Sequence, residues 1–184
     1  MHETIFFSVC DLINIYKSKK LSPVENLKNT FDIIKRLNPK LNAFISISEK
    51  KAIRQAKFSE LHYLNRTERK LEGIPFGVKD VIDVKQEKTM NGSKLFEKSK
   101  VKTKSSTIVN KLIEEGAIYI GKLHTHELAI GAPTFSGIDN PASNPWDLYK
   151  TAGGSSSGSG SAVGGYLVPF ALGTDSGGSI RNPS

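Results

Sequence analysis

The chain has one cysteine, Cys10, in 184 residues, so no disulfide can form within it. Cys10 falls on a helix face and is read as a packing residue. No apolar run approaches the ~18 residues that a membrane span needs, and a membrane is not expected as a partner. The opening stretch, Met1 to Phe7, has neither a basic leader segment nor a cleavage site. No export signal is therefore read, and the cytoplasm is the expected location. Arginine is scarce, with five against 21 lysines in a chain of net charge +8 and pI about 9.5. Such a balance invites a nucleic-acid reading, but phosphate and base recognition favours the arginine fork. The densest basic patch, Lys98, Lys100, Lys102 and Lys104, alternates with Ser99, Val101 and Thr103, the pattern of a solvated edge or loop. His124 and His126 lie two apart with no third ligand at a workable spacing, so no metal is expected. No internal repeat is present, and this length supports one domain around one core.

What is there begins with amphipathic helices. Val9, Leu12, Ile13 and Tyr16 lie on one helix face. Ser22-Pro-Val-Glu25 is a capping box with proline at the first helical position. It opens a second helix, with stripe Val24, Leu27, Phe31 and Ile34, expected to stop at Asn38-Pro39. Ala43 to Ile47 reads as a strand, and Glu49 to Asn65 as a third helix on the surface. Residues 1–70 thus form a mainly helical lead-in to an α/β part, residues 71–184. There, Leu71 to Asp83 reads as a turn and a buried strand, Thr107 to Glu115 as a helix ended by Gly116, and Ala117 to Ile120 as a short strand. Asn140 to Trp146 is expected to be a loop, and Asp147 to Ala152 a poor strand.

Two features carry chemistry. Lys79 sits among Phe76, Val78, Val81 and Ile82, where a charge is costly unless it pairs or loses its proton. A desolvated lysine of lowered pKa is a suitable base for a serine nucleophile. The other feature is the C-terminal stretch from Gly153, where eleven of the thirteen residues to Gly165 are Gly or Ser. A flexible linker has that composition. The apolar run Tyr166 to Leu172, bounded by glycine and read as a buried strand, argues against a linker. After it comes Gly173-Thr-Asp-Ser-Gly-Gly-Ser-Ile-Arg181, whose glycines let backbone N–H groups converge on an oxyanion. Two other serine schemes fit poorly. Gly154-Ser-Ser-Ser-Gly158 matches a nucleophile elbow literally, but no histidine follows it. Ser48-Glu-Lys-Lys51 and Ser99-Lys-Val-Lys102 match S-x-x-K spacing in charged text.

Taken together, Gly153-Gly-Ser-Ser-Ser-Gly-Ser159, the Gly173 to Arg181 string and Gly77-Val-Lys-Asp80 resemble the amidase signature family. That resemblance covers nearly the whole chain and implies an α/β fold, a mixed sheet flanked by helices. It implies hydrolysis of a carboxylic amide C–N bond through a Ser–cis-Ser–Lys triad and an acyl-enzyme, without a cofactor. Ser179 would be the nucleophile, Ser155 the bridging serine after a cis peptide, and Lys79 the base. The N–H groups of Ser176, Gly177, Gly178 and Ser179 would form the oxyanion hole. Asp175 and Arg181 are read as holding that loop, and Ser156 as bonding locally. Family members run well over twice this length, so the chain is expected to be the N-terminal part of the domain. Ser157 also stands where the family usually has glycine.

Two alternatives stay open: the A component of a glutamyl-tRNA(Gln) amidotransferase, and an inactive fragment. That component usually reads Met-Asp-Glu-Phe-Ala-Met-Gly where this chain has Thr125 to Gly131, which favours a general amidase acting on a small-molecule amide. Nucleic acid enters only if the chain serves a tRNA amidotransferase complex, and a homodimer is left open.

Overall fold

A computed structural model describes residues 7–131 and 140–184. Most of the opening stretch read for an export signal lies outside these residues. Helix α1 (Val9–Lys17) buries Leu12 and Tyr16 and is capped by Ser8, with Asp11 returning the bond. Helix α2 (Pro23–Leu41) buries Leu27, Phe31 and Ile34. At its start Ser22 Oγ accepts the Glu25 N–H at 3.1 Å, and the Glu25 carboxylate accepts the Ser22 N–H at 2.9 Å. Ser22→Ala is expected to cost about 1 kcal/mol and lower Tm by about 2–4 °C in a thermal melt. An unchanged Tm would show the cap to be idle.

Helix α2 does not stop at Asn38; it continues through Pro39 to a left-handed Asn42. Pro39 falls in the last turn, where its missing N–H removes only one helical bond. The Asn38 side chain meanwhile anchors the next strand, accepting the Phe44 N–H at 2.7 Å and donating to the Phe44 carbonyl at 2.9 Å. Helix α3 (Glu49–Asn65) buries Ala52, Ala56, Ser59 and Tyr63 and leaves Phe58, Leu61 and Leu64 in water.

The main sheet comprises β1 (Phe44–Ile47), β2 (Pro75–Lys79), β3 (Ile118–Leu123) and β6 (Phe170–Leu172), in the order β1-β3-β2-β6. Strand β2 runs parallel to both β3 and β6, and β1 is antiparallel to β3. Helix α4 (Thr107–Glu114) makes the crossover between β2 and β3. Every residue of β2 and β3 is buried, as expected of parallel strands covered on both faces. Alternation sends Ile118 and Ile120 into a core with Leu27, Phe31, Ala52 and Ala56 of α2 and α3. Tyr119 goes to the opposite face with Phe76, Val78 and Val109 of α4. The fold is a mixed α/β sheet flanked by helices. Among the described residues, no helix is long and apolar enough to cross a membrane.

Two expectations need correction. Ser143 to Thr151 is a hairpin, β4 (Ser143–Asn144) against β5 (Asp147–Thr151), rather than a loop and a poor strand. Its side chains are largely exposed, so no apolar alternation announces it. The run from Tyr166 pairs only over its last three residues. Tyr166 turns at positive φ, Leu167 and Val168 enter the core, and Pro169 has no N–H for a ladder.

Between hairpin and run, the Gly/Ser cluster forms α5 (Ser157–Gly164), with Ser157, Gly158, Ser161 and Ala162 buried. Its glycine content serves close packing. A Cβ on Gly158 would lie 2.3 Å from the His124 amide nitrogen and 2.4 Å from the Ala43 carbonyl oxygen. A linker would make no such approach.

Candidate active site

Lys79 ends the central strand β2, at the carboxyl edge where open parallel sheets form their crevices. It is fully buried. Its Nζ lies 2.8 Å from Ser155 Oγ and 2.8 Å from Thr174 Oγ1. Burial pulls the ammonium pKa down to about 8, against the opposing charge of Asp175. A substantial part of the lysine is therefore neutral in mildly alkaline solution, and neutrality is what a base requires.

Ser155 lies in the turn between β5 and α5, after a cis Gly154–Ser155 peptide bond. Its carbonyl accepts the His126 N–H at 3.1 Å, and the Gly154 N–H donates to Asn182 Oδ1 at 3.0 Å. Ser156 staples this turn to the C-terminal segment rather than bonding locally. Its N–H donates to the Ser179 carbonyl at 3.0 Å. Its hydroxyl donates to the Thr174 carbonyl and accepts the Thr174 N–H, each at 3.2 Å.

The segment carrying Ser179 is wound around Asp175. That carboxylate accepts N–H bonds from Gly178 (2.8 Å), Ile180 (3.0 Å) and Arg181 (3.1 Å), and pairs with the Arg181 guanidinium at 2.8 Å. The guanidinium and these amides hold the carboxyl far below the usual carboxylate range. The Gly178 N–H is thus committed to Asp175. Those of Ser176, Gly177 and Ser179 have no acceptor among the described residues. A pocket of about 430 Å³ is lined by Ser155, Thr174 and Ser176 to Ser179 on one side and Ala129 to Gly131 on the other. The structure therefore brings all the sequence-derived candidates together, with Lys79 beneath the pocket floor behind Ser155.

A family model described as Amidase matches residues 25–184. The chain belongs to the amidase signature family. It is 40% identical over 177 residues to the A component of the glutamyl-tRNA(Gln) amidotransferase of Coxiella burnetii, covering 96% of this chain and 36% of that protein. A bacterial aryl acylamidase of the amidase signature family superposes with a TM-score of 0.87 at 29% identity, over 97% of this chain and 37% of that one. The corresponding amidotransferase component from Thermotoga maritima superposes with a TM-score of 0.78 at 30% identity, over 100% of this chain and 37% of that one. The chain thus spans little more than a third of the length of the relatives it matches.

Within this amidase-family chain, the structure also tells against two of the rival serine matches. Ser156, the centre of the elbow match, is buried with its hydroxyl engaged by Thr174. Ser48 Oγ donates to the Glu87 carboxylate at 2.6 Å. The histidine rings meet protein groups, His124 at Ser157 Oγ and His126 at the Gly131 and Gly153 carbonyls. No cluster of three possible metal ligands occurs among the described residues.

The sequence reading missed two partners of the site. One is Thr174, the second contact of Lys79, for which the local pattern holds no signal. The other is a buried ion pair directly after Lys79, with Asp80 Oδ1 3.0 Å from Lys122 Nζ. Burial pushes Asp80 up and Lys122 down, each opposed by the other's charge. Lys122 also donates to the Ile82 carbonyl at 2.6 Å, and Asp80 Oδ2 accepts the Met90 N–H at 3.0 Å. A lysine between Ile120 and Leu123 carried the same signal as Lys79, and could have been found by it.

Proposed function

We propose that the chain carries the amide-cleaving site of an amidase, acting on a carboxylic amide C–N bond through an acyl-enzyme. The observation that supports this reading best is the fully buried Lys79, with Nζ 2.8 Å from Ser155 Oγ under a pocket that Ser179 lines. Ser179 Oγ attacks the carbonyl carbon as its proton passes to Ser155, whose own proton passes to neutral Lys79. The oxyanion is met by the N–H groups of Ser176, Gly177 and Ser179, while Asp175 keeps Gly178 in the bend. Collapse breaks the C–N bond, and the proton returns from Lys79 through Ser155 to the leaving amine. Water then hydrolyses the ester. A neutral amine has one lone pair and two N–H groups. Donation to Thr174 Oγ1 turns the lone pair toward Ser155.

A second reading rests on the 40% identity to the amidotransferase component of Coxiella burnetii, against 29% to the aryl acylamidase. In that case the amide is glutamine, the leaving group is ammonia, and the steps at Ser179 are the same. Glutaminase activity that appears only on adding the other components of such a complex would select this reading; hydrolysis of simple amides by itself would select the first.

The test common to both is covalent labelling by a fluorophosphonate, followed by mass. Wild-type chain is expected to gain one adduct on Ser179, and Ser179→Ala none. Because the base must be neutral, the labelling rate should rise tenfold per pH unit below about 8 and level off above it. Labelling that survives Ser179→Ala would sink the proposal.

A further inference from the structure

His126 touches both walls of the candidate pocket. Its backbone N–H reaches the Ser155 carbonyl at 3.1 Å. Its ring Nε2 lies 3.2 Å from the Gly153 carbonyl oxygen, and Nδ1 lies 3.0 Å from that of Gly131. The ring is also pressed against the peptide that precedes Ser155. A Cβ on Gly154 would stand 2.1 Å from His126 Cε1 and 2.2 Å from Nε2, so only glycine admits the ring there. Gly131 belongs to the opposite wall, with Ala129 and Ile130. One buried imidazole therefore spans the gap between the Ser155 turn and the wall that faces it.

Both ring nitrogens face carbonyl oxygens, which only accept. A neutral imidazole carries a single N–H and can serve one of them; the imidazolium serves both. We infer that His126 is a positioning residue for Ser155, acting as a two-donor imidazolium clamp between the 153–155 turn and the 129–131 wall. The inference rests on the reading of Ser155 as the proton relay. The charged groups around the clamp are few. Glu127 follows it in the chain, Lys79 lies behind Ser155, and Asp175 is matched by Arg181 at 2.8 Å. In the wider groove that the ring lines beside Trp146 and Ile180, no other described side chain is acidic or basic.

The test uses the full chain with 15N-labelled histidine, the His126 signals being assigned by their loss in His126→Gln. With a carbonyl oxygen facing each ring nitrogen, both nitrogens of His126 are expected to carry protons, giving two N–H resonances. Glutamine keeps a donor, but its single amide nitrogen cannot meet both carbonyls. His126→Gln is expected to label about tenfold more slowly, the loss due to one hydrogen bond from a charged donor. One bare ring nitrogen, or labelling of His126→Gln at the wild-type rate, would overturn the clamp. Lys79→Met tells the two readings apart. Lost labelling with the two-proton signature intact upholds both. Retained labelling defeats the catalytic reading, and the wild-type ring signature still decides the clamp.

Discussion

Lys79→Met is expected to slow acylation of Ser179 by about 10²–10⁴-fold, the range of a lost general base. Methionine nearly preserves the volume of the lysine stem, so the sheet around Phe76 and Val78 should close over it. It offers no basic lone pair to Ser155 Oγ and no donor to Thr174 Oγ1, the two contacts that Lys79 makes at 2.8 Å. Lys79→Arg should be as slow, because a guanidinium stays charged at working pH. The effect on stability should run the other way. A buried ammonium with two hydroxyl neighbours is a desolvation cost, and removing it should leave the urea midpoint unchanged or raised. A labelling rate within tenfold of wild type, in a Lys79→Met chain with an unchanged midpoint, would remove Lys79 from the mechanism.

Lys122→Met should do the opposite, destabilising the fold by about 3–5 kcal/mol, because it strands a carboxylate in the interior. Asp80 is fully buried, and it has Lys122 at 3.0 Å and the Met90 N–H as partners. Asp80→Asn alone should be comparably damaging, since it leaves the Lys122 ammonium without its counter-charge. The double variant Asp80→Asn, Lys122→Met should recover most of the loss, because neither charge is then left alone. Urea denaturation of the four proteins measures the coupling directly. Single variants that each cost less than about 1 kcal/mol, with an additive double, would show that the pair contributes no more than an exposed one.

Where side chains made the structure, the sequence announced it. The apolar stripes of α1 to α3 and the capping box of α2 place those helices, except for the end of α2, since each buries one face. The corrected stretches are those where the backbone decides. The hairpin of β4 and β5 leaves Tyr149 fully in water, so no apolar alternation marks it. Pro39 stays helical because it falls in the last turn, where one lost bond matters little. For the candidate site, Lys79, Ser155 and Ser179, which the structure brings together, could be picked out as a lysine in apolar text and serines among glycines. Thr174 was not, because its contact with Lys79 crosses 95 positions of chain and depends on how β6 registers beside β2. The commitment of the Gly178 N–H to Asp175 was hidden for a related reason. The sequence shows which amides can converge but not which one the loop spends on itself.

The parallel pairing of β2 with β6 also sets an order of events during synthesis. Residues 75–79 leave the ribosome long before residues 170–184, and non-local parallel contacts form late and slowly. Until Thr174 arrives, Lys79 Nζ lacks one of its two hydroxyl contacts. The segment that carries Ser179 is thus also the one that completes the surroundings of Lys79, so the two candidates come together in a single late step.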